Sequence, residues 1–274
     1  MTSESQKTSR PRVIALANQK GGVGKTTTAI NLGAALALAG RQVEMIDLDP
    51  QGNASTGLGV FASDREHTAY DVLSGSVGYA ESLVPTSVDN LNLLSSSGDL
   101  AGLDVELAED PHRAQRLRTS LGIDNDEAEA RGTDFILIDC PPSLSILTVN
   151  AMTAADSVLV PLQCEFFALE GLSQLLATIR RVKQRLNPAL EIEGILLTMY
   201  DKRNNLSAQV AVDVRENLGQ QVYSTIVPRN VRLSEAPSHG LPVLLYDGDC
   251  PGSVAYRRLA EEILAAEPRE LAEA

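Results

Sequence analysis

Short apolar runs recur along this chain, each closed by a turn or an acidic residue, and they alternate with longer stretches of helical spacing. Residues 13–17 read as a buried strand that opens into a glycine-rich loop. Residues 26–38 then read as a helix, with Ile30, Leu32 and several alanines as its packing face and Gly40 as its stop. A second strand, 43–46, halts at Asp47. A third, 135–138, runs into Asp139 and then Pro141-Pro142, which cannot continue it. Further apolar runs fall at 157–162 and 192–198. Between them Leu172, Leu175, Leu176, Ile179, Val182 and Leu186 recur at helical spacing, and a last helix is expected over about 254–265.

Strand alternating with helix predicts an α/β fold: a mostly parallel twisted sheet with helices on both faces. Ligands of such sheets bind beyond the carboxyl ends of the strands, where Asp47, Asp49, Asp139 and the glycine loop all fall. Residues 52–133 are the least legible stretch; Pro111-His112-Arg113 there is expected to open a helix through Leu121, and 124–129 to form an acidic loop. We expect a single domain over 12–266, flanked by flexible tails at 1–11 and 267–274.

Composition narrows the class. The chain has 274 residues, 43% of them apolar and none tryptophan, which suits a sheet packed on aliphatic side chains. No apolar run is long enough to cross a membrane, and the polar start MTSESQKTSRPR does not read as a signal peptide. Cys140, Cys164 and Cys250 are dispersed without a C-x-x-C pair, and His67, His112 and His239 are equally scattered. Neither a zinc site nor a disulfide framework is expected, and a reducing cytoplasm fits best. A net charge of −13 argues against coating nucleic acid through overall charge, yet leaves room for a local basic patch.

The chemistry concentrates in Ala17-Asn18-Gln19-Lys20-Gly21-Gly22-Val23-Gly24-Lys25-Thr26-Thr27-Thr28. Three glycines let consecutive N–H groups converge on phosphate oxygens, and the following helix presents its positive end to the same anion. Lys25 supplies a point charge to the β/γ phosphates, Thr26 a hydroxyl suited to magnesium, and Thr27 a donor for the α-phosphate. Asp139, closing Phe-Ile-Leu-Ile-Asp, is placed to hold magnesium through water. Asp47 and Asp49 lie two residues apart; one is read as assisting the metal and the other as orienting or activating the attacking water.

One residue does not fit a single chain. The usual phosphate loop, G-x-x-x-x-G-K-[ST], would have glycine where Gln19 stands, and Lys20 follows it at once. Two ammonium groups in one loop repel each other unless further negative charge arrives, and phosphoryl transfer gains from a positive group offered in trans. Lys20 is therefore expected to reach across a dimer interface to the partner's nucleotide.

At K-G-G-V-G-K-T-T, D-L-D-P-Q-G-N and I-L-I-D-C-P-P-S the sequence resembles the deviant Walker A ATPases of the P-loop NTPase class, and among them the ParA/Soj chromosome-partitioning family. The likeness continues through V-P-L-Q-C-E, A-L-E-G-L, L-T-M-Y-D and V-P-R-N-V-R-L-S-E-A-P-S, and so spans nearly everything from 12 to 265. The resemblance implies ATP and Mg2+ as cofactors, with Lys20, Gly21, Gly22, Val23, Gly24, Lys25, Thr26 and Thr27 on the phosphates. It implies a sandwich homodimer on ATP with Lys20 acting in trans, and hydrolysis that depends on Asp49. It further implies non-specific binding to double-stranded DNA, matching Arg203 and Arg232, and release when a ParB-type centromere-binding protein stimulates hydrolysis. Met199 and the turn Pro228-Arg229 are assigned to the adenine, and the protein is expected in the cytoplasm on the nucleoid, slow to turn over alone.

Rival members of the superfamily fit less well. A MinD-like ATPase positioning another cargo needs a basic amphipathic C-terminus, whereas EEILAAEPRELAEA is acidic and broken by Pro268, so no membrane partner is expected. An iron protein needs paired cysteines. A small-molecule ligase or amidotransferase has no use for the Arg232 segment. A plasmid partition ATPase remains an alternative, although only about a dozen residues precede the first strand, too few for a helix-turn-helix.

Overall fold

The computed structural model describes residues 10–123, 125, 127–165 and 168–266. The tail 267–274, most of the tail 1–11, and Asp124 and Asp126 of the acidic stretch lie outside the described residues. Eight strands form one sheet: β1 (Arg12–Leu16), β2 (Val43–Asp47), β3 (Leu83–Pro85), β4 (Leu91–Leu94), β5 (Phe135–Asp139), β6 (Ser157–Gln163), β7 (Glu191–Tyr200) and β8 (Val222–Pro228). Their order is β3-β4-β2-β5-β1-β6-β7-β8, and all pairs are parallel except the edge pair β3–β4.

Period-two alternation divides the core. On β5, Phe135 and Leu137 face one layer while Ile136, Ile138 and Cys140 face the other; β1 divides Ile14 and Leu16 from Val13, Ala15 and Ala17 in the same way. One layer holds helix α1 (Lys25–Leu38) and the C-terminal helix α5 (Pro251–Ala265); the other holds α2 (Ile146–Ala154), α3 (Ala168–Arg185) and α4 (Asn205–Leu218). Both faces of the sheet are thus covered, as the strand–helix alternation predicts. Among the described residues no helix is long and apolar enough to cross a membrane.

The differences from the sequence reading are local. Strands β3, β4 and β8 and helix α4 carry weak signals: β3 and β4 are very short, and α4 contains three valines that favour strands. Helix α4 forms because Asn204 caps it, its side chain accepting from the Leu206 N–H, while Val210 and Val214 pack inward. The helix expected from Pro111 shrinks to Arg116–Ser120, since Asp110 holds the preceding turn by accepting from the His112 N–H at 2.8 Å and from Arg116 Nε at 2.6 Å. Glu127–Ala130 forms a helical turn within the expected acidic loop.

A buried polar cluster fastens the poorly legible segment to the sheet. The Glu44 carboxylate on β2 accepts from Tyr79 Oη at 2.9 Å, Arg131 Nε at 3.1 Å and Thr133 Oγ1 at 2.6 Å, with the Arg131 guanidinium stacked over the Tyr79 ring. Breaking one partner would strand a charge, so this network ties Tyr79, Arg131 and Thr133 to β2.

Candidate nucleotide and metal site

The loop between β1 and α1 is bent at Gly22 and Gly24, whose φ angles of 76° and 88° suit glycine. A Cβ at Gly21 or Gly22 would meet nothing within 4 Å, so among the described residues none fills the space beside these glycines. Neighbouring strands brace it from below: Asn18 Nδ2 donates to the Pro161 carbonyl at 2.8 Å, and Thr198 Oγ1 to that of Val23 at 2.8 Å. Lys25, the first residue of α1, is 6% exposed and its Nζ donates to the Lys20 carbonyl at 3.2 Å. Burial lowers the pKa of its ammonium, against which Asp139, Cys140 and Asp49 pull upwards.

Asp47 and Asp139 are register partners at the ends of β2 and β5. Both follow the face of Met45 and Leu137, which is the face of α1, and both are fully buried. Their environments nevertheless differ. Asp47 accepts from the Asp49 N–H at 3.1 Å, the Ser55 N–H at 2.8 Å and Ser55 Oγ at 2.7 Å. Among the described residues neither oxygen of Asp139 has a hydrogen-bond partner of good geometry, although the nearby Thr26 hydroxyl favours its ionised form. Burial and then mutual repulsion raise Asp139 well above the carboxylate range; burial, outweighing its hydrogen bonds, raises Asp47 to about 6. An orphaned, buried carboxylate beside a threonine hydroxyl and an open anion cradle fits a hard divalent cation.

Asp49 does not share a strand with Asp47, because β2 ends at Asp47 and the chain turns. Its N–H caps the Asp47 side chain, its Oδ1 accepts from the Gln51 N–H at 3.0 Å, and its carbonyl accepts from Ser96 Oγ at 2.5 Å. Asp49 therefore occupies the rim while Asp47 is sealed beneath it. Lys20 is exposed, and its Nζ lies 2.6 Å from Glu165 Oε2 on the loop after β6. The sequence gives no sign of this pairing, although Glu165 closes the V-P-L-Q-C-E motif; nor does it single out Ser55 or Ser96.

The residues assigned to the adenine and to DNA gather on the β7–β8 side. Met199 adopts φ +51°, one of two non-glycine residues in the left-handed region among those described, and its Cε lies 3.9 Å from where a Gly24 Cβ would stand. Pro228 is the register partner of Tyr200, and the Arg229 N–H donates to the Tyr200 carbonyl at 3.0 Å. Beyond them an open cleft of about 1330 Å³ is lined by Arg203, Pro228, Arg229, Val231 and Arg258, among others. Arg203 is paired with Asp201, whose pKa it lowers to about 2 through side-chain and backbone hydrogen bonds. Arg232 pairs with Glu235 at 2.8 Å and Asp247 at 3.2 Å. Thr27 is half-buried at the start of α1. The three cysteines are buried free thiols.

Comparison with known proteins accords with this geometry. Residues 11–192 match a family model described as an AAA domain. The chain is 58% identical over 257 residues to the chromosome partitioning protein ParA of Caulobacter vibrioides, covering 93% of this chain and 95% of that one. It is 50% identical to the sporulation initiation inhibitor protein Soj of Bacillus subtilis, covering 93% and 98%. A crystal structure of cobyrinic acid a,c-diamide synthase from Mycobacterium smegmatis, with bound ATP analogue and magnesium, superposes with a TM-score of 0.79 at 39% identity, covering 93% and 94%. A phosphate loop, a buried orphan carboxylate and identities of this size along nearly the whole length carry one conclusion: the chain belongs to the ParA/Soj family of chromosome-partitioning ATPases.

Proposed function

We propose that this protein hydrolyses ATP with Mg2+ to drive partitioning of a chromosome origin region, cycling between an ATP-bound homodimer on DNA and a released monomer. The orphaned carboxylate of Asp139 beneath the glycine loop is the observation that carries the hydrolytic part, because a buried anion without a partner is costly unless a cation completes it. When bound, magnesium neutralises charge that develops on the phosphates.

The chain's own groups divide the remaining work. The N–H groups of Gly21 to Thr27 and the Lys25 ammonium bind the phosphates. Thr26 and Asp139 would hold the metal, and Asp47, committed to three donors, would assist it while fixing the loop of Asp49. Asp49 orients and deprotonates the water. Met199, Pro228 and Arg229 flank the adenine, and Lys20 leaves Glu165 to reach the nucleotide of the second subunit.

The wider cycle rests on the family relationship. Arg203 and Arg232 contact DNA phosphates without sequence preference, and a ParB-type protein stimulates hydrolysis, so that the protein is held on the nucleoid in the cytoplasm only while ATP lasts. A domain of 12–266 performs all of this, with 1–11 and 267–274 as tails. Measuring ATP turnover with DNA, with a ParB amino-terminal peptide, and with both tests the proposal. Synergistic stimulation supports partitioning, whereas turnover indifferent to both refutes it.

A further inference from the structure

Arg65 lies outside every motif that marks the phosphate site, yet its guanidinium is spent on the loop that carries Asp49. Nη1 donates to the Ser96 carbonyl at 2.9 Å; Nη2 donates to the Gly52 carbonyl at 3.1 Å, Thr56 Oγ1 at 2.9 Å and the Val60 carbonyl at 3.1 Å; Nε donates to the same Val60 carbonyl at 3.2 Å. All of these acceptors are neutral oxygens.

The two ends of this fork meet the two supports of Asp49. Gly52 closes the turn from Asp49, its N–H donating to the Asp49 carbonyl at 2.8 Å. Ser96 holds the same carbonyl through Oγ at 2.5 Å, while its N–H donates at 3.0 Å to Ser55 Oγ, which in turn binds Asp47. Gly52 sits at φ +64°, and a Cβ there would clash with Arg65 Nη1, so backbone and guanidinium are in direct apposition. A planar fork can bind the Gly52 and Ser96 carbonyls at once; an ammonium, as a point donor, cannot reproduce that spacing.

We infer that Arg65 is a positioning residue for hydrolysis, clamping the 49–52 turn to Ser96 so that the Asp49 carboxylate keeps its attack geometry. The inference rests on Asp49 being the carboxylate that acts on water. None of the hydrogen bonds of Arg65 involves the glycine loop, so nucleotide binding and hydrolysis separate in the test.

The test compares single-turnover and steady-state ATP hydrolysis by full-length Arg65→Lys, Arg65→Ala and Asp49→Ala proteins, well below their melting temperatures. Arg65→Lys is expected to lower kcat about tenfold or more, as small displacements of a reacting group do, with KM for ATP within about twofold. Guanidinium ion at concentrations far below denaturing is expected to restore part of the rate of Arg65→Ala and none of that of Asp49→Ala. An unchanged kcat in Arg65→Lys, or a loss confined to KM, overturns the inference while leaving the role of Asp49 standing. Normal turnover by Asp49→Ala overturns both.

Discussion

Lys20 and Glu165 form an ion pair at 2.6 Å between the loop after β1 and the loop after β6, two strands that are neighbours in the sheet. Each side chain is about two-fifths exposed, and exposed pairs of this kind are worth about 0–1 kcal/mol. The lysine is thus parked by its own subunit at little energetic cost, available to a stronger anion.

Lys20→Ala should therefore still bind ATP as a monomer yet lose partner-stimulated hydrolysis. Glu165→Gln should release the lysine and raise basal hydrolysis by no more than about fivefold, the equivalent of one weak ion pair. Both are read by steady-state phosphate release and nucleotide titration, and full stimulation of Lys20→Ala would rule out a contact in trans.

Asp49→Ala should bind Mg-ATP and dimerise without hydrolysing it. Its buried neighbours Asp47, Ser55 and Ser96 keep their own bonds, so the fold should persist. Size-exclusion chromatography with ATP, beside a turnover assay, checks both halves; normal turnover would remove Asp49 from the mechanism.

Asp139→Asn should stabilise the nucleotide-free protein and abolish the extra stability conferred by Mg-ATP. The sign follows from the raised pKa of Asp139: its protonated side chain favours the folded state in acid, and that contribution is lost as pH rises above the ordinary carboxylate range towards the raised folded-state value, whereas asparagine stays neutral. The variant's advantage over the parent should accordingly grow from pH 5 to pH 8, by at most about 1.4 kcal/mol per pH unit, the linkage of a single proton. Thermal melts across that range decide it, and a variant less stable than its parent at pH 8 would contradict the unpaired state of Asp139.

Arg232→Glu, and to a lesser degree Arg203→Glu, should abolish ATP-dependent retention of DNA in a gel shift while sparing ATP binding. Because the DNA-bound form is a homodimer, a neutral Arg203→Ala substitution removes two phosphate contacts and should lower the slope of log affinity against log salt by about two. Retention that is unchanged in both variants would move the DNA surface elsewhere.

How much of the fold is legible in the sequence depends on where each constraint resides. The glycine loop, α1 and the strand ends at Asp47 and Asp139 are legible because their signals are contiguous: a phosphate cradle needs glycines, a lysine and a helix start in a row. Buried parallel strands announce themselves as apolar runs, which locate β1, β2, β5, β6 and β7. By contrast β3 and β4 are too short to announce themselves; β4 is templated by its parallel pairing with β2, and β3 by its antiparallel pairing with β4. Helix α4, rich in valine, becomes a helix through its asparagine cap and the sheet it packs on.

The site divides along the same line. By itself the sequence determined which residues carry charge and hydroxyls, and that two lysines and three aspartates crowd one rim. Only the tertiary structure decided how they differ. Parallel register set Asp47 beside Asp139, while Ser55 satisfied the first and, among the described residues, no well-formed hydrogen bond satisfied the second. It likewise brought Glu165 to Lys20 and Arg65 to Gly52, pairs distant along the chain or without a motif, whose partners are chosen by the packing of loops rather than by spacing. Hydrogen bonding and desolvation act over a few ångströms in space, and chain order records them only where neighbours in sequence are also neighbours in the fold.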